Sequence, residues 1–132
     1  MVTNIMTYLV ALIVFFTIDM LWLGLIAKKL YRSQLGFLMR DKPNWPAAII
    51  FYLIFVLGIV FFVVGPAIDN NSWSGAFIVG LIYGFITYVT YDLTNLATLK
   101  DWPIKITIID ILWGTSLGGM VSLTTYVIMS II

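Results

Sequence analysis

Residues 74–99 read SGAFIVGLIYGFITYVTYDLTNLATL, an apolar run with a single charged residue, Asp92, set inside it. A spanning helix needs about 20 mainly apolar residues, so this stretch is long enough to cross a bilayer. A carboxylate at that depth costs about 2.5–3.5 kcal/mol even on lenient insertion scales, so it faces a bundle interior, holds a proton or meets a cation. Three more runs of the same kind, roughly 4–27, 47–67 and 104–131, complete an all-α, four-helix transmembrane bundle. Two of them carry their own buried acid, Asp19 and Asp110.

Composition agrees with that class. A chain of 132 residues that is 62% hydrophobic and 10% charged has more apolar surface than one soluble core can hide. Cysteine and histidine are both absent, which removes disulfides, thiolate metal sites, and the commonest general base and metal ligand. No cofactor is expected, and no zinc or haem chemistry. A net charge of +1 gives no reason to expect nucleic acid as a partner. The opening segment lacks a basic flank and a small-residue cleavage site, so it reads as a mature helix rather than a signal peptide.

All seven cations, Lys28, Lys29, Arg32, Arg40, Lys42, Lys100 and Lys105, fall in or beside the connections after the first and third helices. By the positive-inside rule, loops 28–46 and 100–105 are cytoplasmic, and the N-terminus, the Asp69 loop and the C-terminus are outside. Within 28–42, Leu30, Tyr31, Leu35, Phe37, Leu38 and Met39 alternate with the charges. The segment reads either as a short interfacial helix or as a solvated basic loop.

The halves echo each other. Thr17-Ile18-Asp19-Met20-Leu21-Trp22-Leu23 and Thr90-Tyr91-Asp92-Leu93-Thr94-Asn95-Leu96 share a T-x-D-x-x-x-L pattern, and Trp45-Pro46 and Trp102-Pro103 each precede a second helix. A parallel duplication of two-helix hairpins explains this, and so does chance likeness between membrane helices of restricted composition.

Depth and spacing bring the acids together. At 1.5 Å per residue, Asp19, Asp92 and Asp110 all lie about 9–12 Å from the basic ends of their helices, in one layer. Gly80, Gly84, Tyr88 and Asp92 share one stripe of the third helix, and Asp110, Gly114, Gly118 and Ser122 share one of the fourth. In an antiparallel pair these align Asp92 with Asp110, Tyr88 with Gly114, Gly84 with Gly118, and Gly80 with Ser122. The glycines and Ser122 are read as packing devices that let backbones approach closely in lipid.

Two carboxylates in a dry setting repel each other, and a shared proton or a bound cation neutralises them. The plainer alternative is internal bonding to Thr94, Asn95, Thr107 or a tyrosine hydroxyl, or pairing with an inward-reaching Lys100 or Lys105. Trp22 and Trp113, each three residues after an acid, wall a cavity or simply pack. The candidate proton-, cation- or ligand-binding set is therefore Asp19, Asp92, Asp110, Asn95, Tyr88, Trp22 and Trp113, with no confident metal ligands among them.

The block Phe16-Thr17-Ile18-Asp19-Met20-Leu21-Trp22-Leu23-Gly24, the run from Tyr91 to Pro103 (YDLTNLATLKDWP) and the D-x-x-W-G of Asp110 to Gly114 together resemble a bacterial family of small integral membrane proteins of unknown function. The resemblance covers nearly the whole chain. It implies a multi-pass protein of the bacterial inner membrane and singles out the same residues, without supplying a mechanism.

The leading functional expectation is a small transporter or permeation unit, its aspartate layer binding a proton, cation or amphipathic solute from the cytoplasmic side. A homodimer would thicken so thin a bundle. A lipid-binding or lipid-modifying protein is the first alternative, and a noncatalytic assembly subunit the second. Catalysis is disfavoured, since the chain has no nucleophile constellation and no D-x-x-D cluster.

Overall fold

A computed structural model describes residues 2–132 of the chain. Four helices are long and apolar enough to cross a membrane: α1 (Thr3–Leu35), α2 (Trp45–Asp69), α3 (Trp73–Thr98) and α4 (Ile104–Ile131). No strand occurs among the described residues.

Local chemistry sets where these helices start. Asn44 caps α2 by accepting from the Ala47 amide at 3.2 Å, with Pro46 in the first turn, where its missing N–H costs nothing. Ser72 caps α3 by accepting from the Gly75 amide at 2.9 Å. The two tight connections each place one residue at positive φ, Asn71 at 50° and Asp101 at 60°. These side-chain types tolerate that region best after glycine.

α1 spans 33 residues, about 50 Å of helix, which outruns the roughly 30 Å of hydrocarbon it must cross. The sequence places an end near residue 27, with a separate surface element or loop beyond. Lys28–Leu35 is helical, in keeping with the helical alternative, but it continues the first span without a break. Lys28, Lys29 and Arg32 are exposed there, so the continuation carries the helix out of the apolar layer. Between the two parts lies a wide π-helical turn, Trp22–Ala27. A second wide turn, Val60–Val64, sits just before Gly65-Pro66 in α2. Proline explains that one: its ring cannot donate and crowds the carbonyl four residues back, so the turn opens.

Neighbours in the chain are neighbours in space: α1 touches α2, α2 touches α3, α3 touches α4, and α4 closes the ring against α1. The centre holds Phe15, Val56, Ile59, Leu117 and Val121, all buried. Large apolar side chains such as Ile13, Leu25, Phe61 and Leu112 cover the outside. That surface suits lipid and would be a liability in water.

The two hairpins pack differently. α3 and α4 form the closest pair in the molecule, because glycines replace side chains along their seam. A Cβ on Gly80 would stand 2.6 Å from the Gly118 carbonyl oxygen and 2.7 Å from the Ser122 hydroxyl. One on Gly84 would strike the Gly114 carbonyl, and one on Gly114 would strike the Tyr88 ring. With no hydrophobic effect to drive helices together in lipid, such close backbone approach supplies the dispersion contacts that hold the pair.

Candidate functional site

At the end of the bundle that carries the basic connections, the four helices part around a cavity of about 490 Å³. Asp19 and Trp22 reach it from α1, Tyr88 and Asp92 from α3, and Asp110 and Trp113 from α4. The geometry thus joins six of the seven candidate residues named from the sequence. Asn95 is not on the wall; it lies one turn further along α3, beside Tyr91. Of the packing set, Gly80, Gly84, Gly114, Gly118 and Ser122 lie on the α3–α4 seam away from the cavity.

Each acid sits in a different setting. Asp110 accepts a 2.6 Å hydrogen bond from the Tyr31 hydroxyl, which in turn accepts from the Trp22 indole N–H at 3.3 Å. Asp19 is 6% exposed and lies beside the Trp113 indole. Asp92 is fully buried and its carboxyl faces that of Asp110, yet neither of its oxygens has a donor among the described residues. A bare carboxylate pair offers four acceptors and no donor; only a proton held on one of them turns this contact into a bond.

Of the internal partners that sequence reasoning offered to these acids, a tyrosine hydroxyl is used and the two threonines are engaged elsewhere. Thr94 donates to the carbonyls of Thr90 and Tyr91, and Thr107 to that of Pro103, each within its own helix. Among the described residues no lysine or arginine lines the cavity. Among the tyrosines only Tyr31 bonds an acid; Tyr83 donates instead to the Phe55 carbonyl at 3.0 Å. Internal bonding therefore accounts for Asp110 and leaves Asp92 with only the Asp110 carboxyl beside it.

The remaining wall is mainly aromatic. Trp22 and Trp113 stack with centroids 4.4 Å apart and planes 7° from parallel, tying α1 to α4 beside the acids. Tyr52, Tyr91 and Trp102 add to it, with Leu23, Leu35 and Ile106 between them. Trp102 is buried with its indole N–H unpartnered, its ring set edge-on to Tyr91 at 6.0 Å. Exposed Met39 and Phe51 lie at the margin.

Sequence reasoning missed Tyr31, Tyr52 and Trp102 as site residues. The clue to Tyr31 is a stripe on α1 repeating every four residues, Asp19, Leu23, Ala27, Tyr31 and Leu35, of which all but buried Ala27 line the cavity. In a regular α-helix that spacing drifts about 40° per step, or about 160° in all, onto the opposite face. The π turn holds extra residues per turn and keeps the stripe facing inward.

Tyr31 is the one observed polar tie between the α1 extension and α4. Tyr31→Phe leaves the part-buried Asp110 acceptor without its donor, a loss worth about 1–3 kcal/mol. Amide exchange across Lys28–Leu35 is expected to accelerate tenfold or more, with exchange in α3 unchanged; equal protection in both proteins would show the extension is held by packing alone.

A four-span helical membrane protein with an acidic, aromatic-walled cavity at one end is what fold and site together define. The chain belongs to the family described as Predicted membrane protein (DUF2177), whose model matches residues 4–127. No curated protein and no solved structure matches it.

Proposed function

We propose that this protein is a small transport or permeation unit of the bacterial inner membrane, in which the aspartate layer takes up a proton, cation or amphipathic solute. One observation carries the reading: Asp92, fully buried and without a donor, on the wall of a cavity large enough for a guest. Membrane-buried acids that are not spent on internal bonding mark ion and proton pathways. With the cationic connections facing the cytoplasm, the cavity opens toward the inner leaflet and both chain ends face outward. Two copies side by side would line a pathway that four helices alone leave thin.

The test is flux in proteoliposomes. Asp92→Asn and Asp110→Asn are each expected to cut proton or cation flux at least tenfold, while Asp69→Asn, at the opposite end, leaves it unchanged. Flux that is indifferent to both inner substitutions overturns the proposal.

A lipid-binding reading has one observation in its favour. Lys28, Lys29 and Arg32 are exposed on the extension that borders the cavity, where a headgroup phosphate would meet them. Phospholipid that copurifies with the wild type and is lost from a Lys28→Ala/Lys29→Ala/Arg32→Ala variant would favour it over transport.

A further inference from the structure

We infer that the acidic cavity is a site for a protonated organic amine carrying an aromatic or alkyl body. This rests on the transport reading above and names the occupant of the same site. Four independent features of the cavity converge on that chemistry.

Size comes first. About 490 Å³ falls in the range of roughly 300–1,000 Å³ typical of small-molecule sites, whereas a water molecule occupies only about 30 Å³ of liquid. A bare ion would leave most of this space to be filled. Among the described residues no three His, Cys, Asp or Glu side chains gather closely enough to hold a metal ion.

Charge comes second. Three aspartates and, among the described residues, no lysine or arginine line the cavity, so the wall favours a cationic guest and disfavours an anionic one.

Hydrogen-bonding valence comes third, and it discriminates among cations. Tyr31 already serves Asp110, but both oxygens of Asp92 are buried without a donor, set against the Asp110 carboxyl, and a guest that parts the two finds two acceptors there. An N–H of a protonated amine satisfies them with a charge-assisted bond; a quaternary ammonium, having no N–H, cannot.

The walls come last. The stacked Trp22 and Trp113, with Tyr88 and Tyr52, present aromatic surface around the acids. Such surface attracts a cation through the ring quadrupole and accommodates an apolar body by burial.

Calorimetry on the full chain in phosphatidylcholine nanodiscs at neutral pH tests this with three probes of nearly one shape: phenethylamine, its N,N,N-trimethyl analogue and 2-phenylethanol. Phenethylamine is expected to bind, with the trimethyl analogue at least tenfold weaker and the alcohol weaker still. Asp92→Asn is expected to weaken the amine at least tenfold without changing the alcohol, and Asp69→Asn to change neither. Should Asp92→Asn fold poorly, the three-probe comparison on the wild type decides alone. Alcohol or trimethyl analogue binding as tightly as the amine overturns the inference, as does amine binding that survives Asp92→Asn intact. Asp92-dependent proton flux without amine binding would sink the occupant and spare transport. Asp92-dependent amine binding without any flux would do the reverse.

Discussion

Asp92→Leu is expected to make this protein more stable and, at the same time, inactive. In the folded chain the Asp92 carboxyl is shut away from solvent with no donor for either oxygen, beside a second carboxyl. A buried polar group in that condition costs about 1–3 kcal/mol, and replacing buried ionisable groups with well-packed apolar ones is often stabilising by a similar amount. Leucine is larger than aspartate, but the adjoining cavity takes up the added volume. The unfolding midpoint in detergent should therefore rise by several degrees while flux in proteoliposomes falls to the background of empty vesicles. The sign of the stability change is the decisive quantity. A drop of 1 kcal/mol or more would mean that Asp92 is a structural tie with a partner it loses, and the functional reading of the acidic layer would fail with it.

Gly84→Leu is expected to have the largest effect on folding. The missing Cβ of Gly84 points at the Gly114 carbonyl and stands 3.2 Å from the Gly118 Cα. Both obstacles are backbone, so no side chain can swing aside; the helices themselves must separate. Overpacking a core usually costs about 1–3 kcal/mol, and this case should exceed that range, because parting α3 from α4 forfeits the contacts along the entire seam. It should also move Asp92 away from Asp110. Gly24→Leu is the matched comparison, since a Cβ there meets nothing within 4 Å, and a surface change of that kind falls within about 0.5 kcal/mol. Monodispersity and thermal unfolding of the two variants separate the outcomes. A stable, monodisperse Gly84→Leu would show that the seam is not as close as the backbone distances indicate.

Much of this architecture is readable from residue order, for identifiable reasons. Spans are legible because a bilayer imposes a length and an apolar composition that few other settings require. The alignment of α3 on α4 is legible because small residues recur every four positions on both, and an antiparallel pair with short connection has little freedom of register. Asp19, Asp92 and Asp110 can be placed in one layer by counting rise from the basic ends. Tyr31 is hidden because its approach to Asp110 depends on the wide turn at Trp22–Ala27, and π turns leave no dependable mark in a sequence. Trp102 is hidden for another reason: a tryptophan beside a proline at a helix end reads as an interface anchor, while here the connection folds its ring inward to 9% exposure. Asn95 shows the opposite error. Its polarity suggests a role, but one turn beyond Asp92 the helix has already left the cavity.

The parallel indoles of Trp22 and Trp113 give the molecule a native optical sensor. Aromatic chromophores 4.4 Å apart and 7° from parallel share their excitation, and the resulting near-ultraviolet dichroism depends steeply on their separation and tilt. Any motion that admits a guest by drawing α1 off α4 must unstack them. Opening of this end can thus be followed in the unlabelled wild-type chain, without a dye or an engineered thiol.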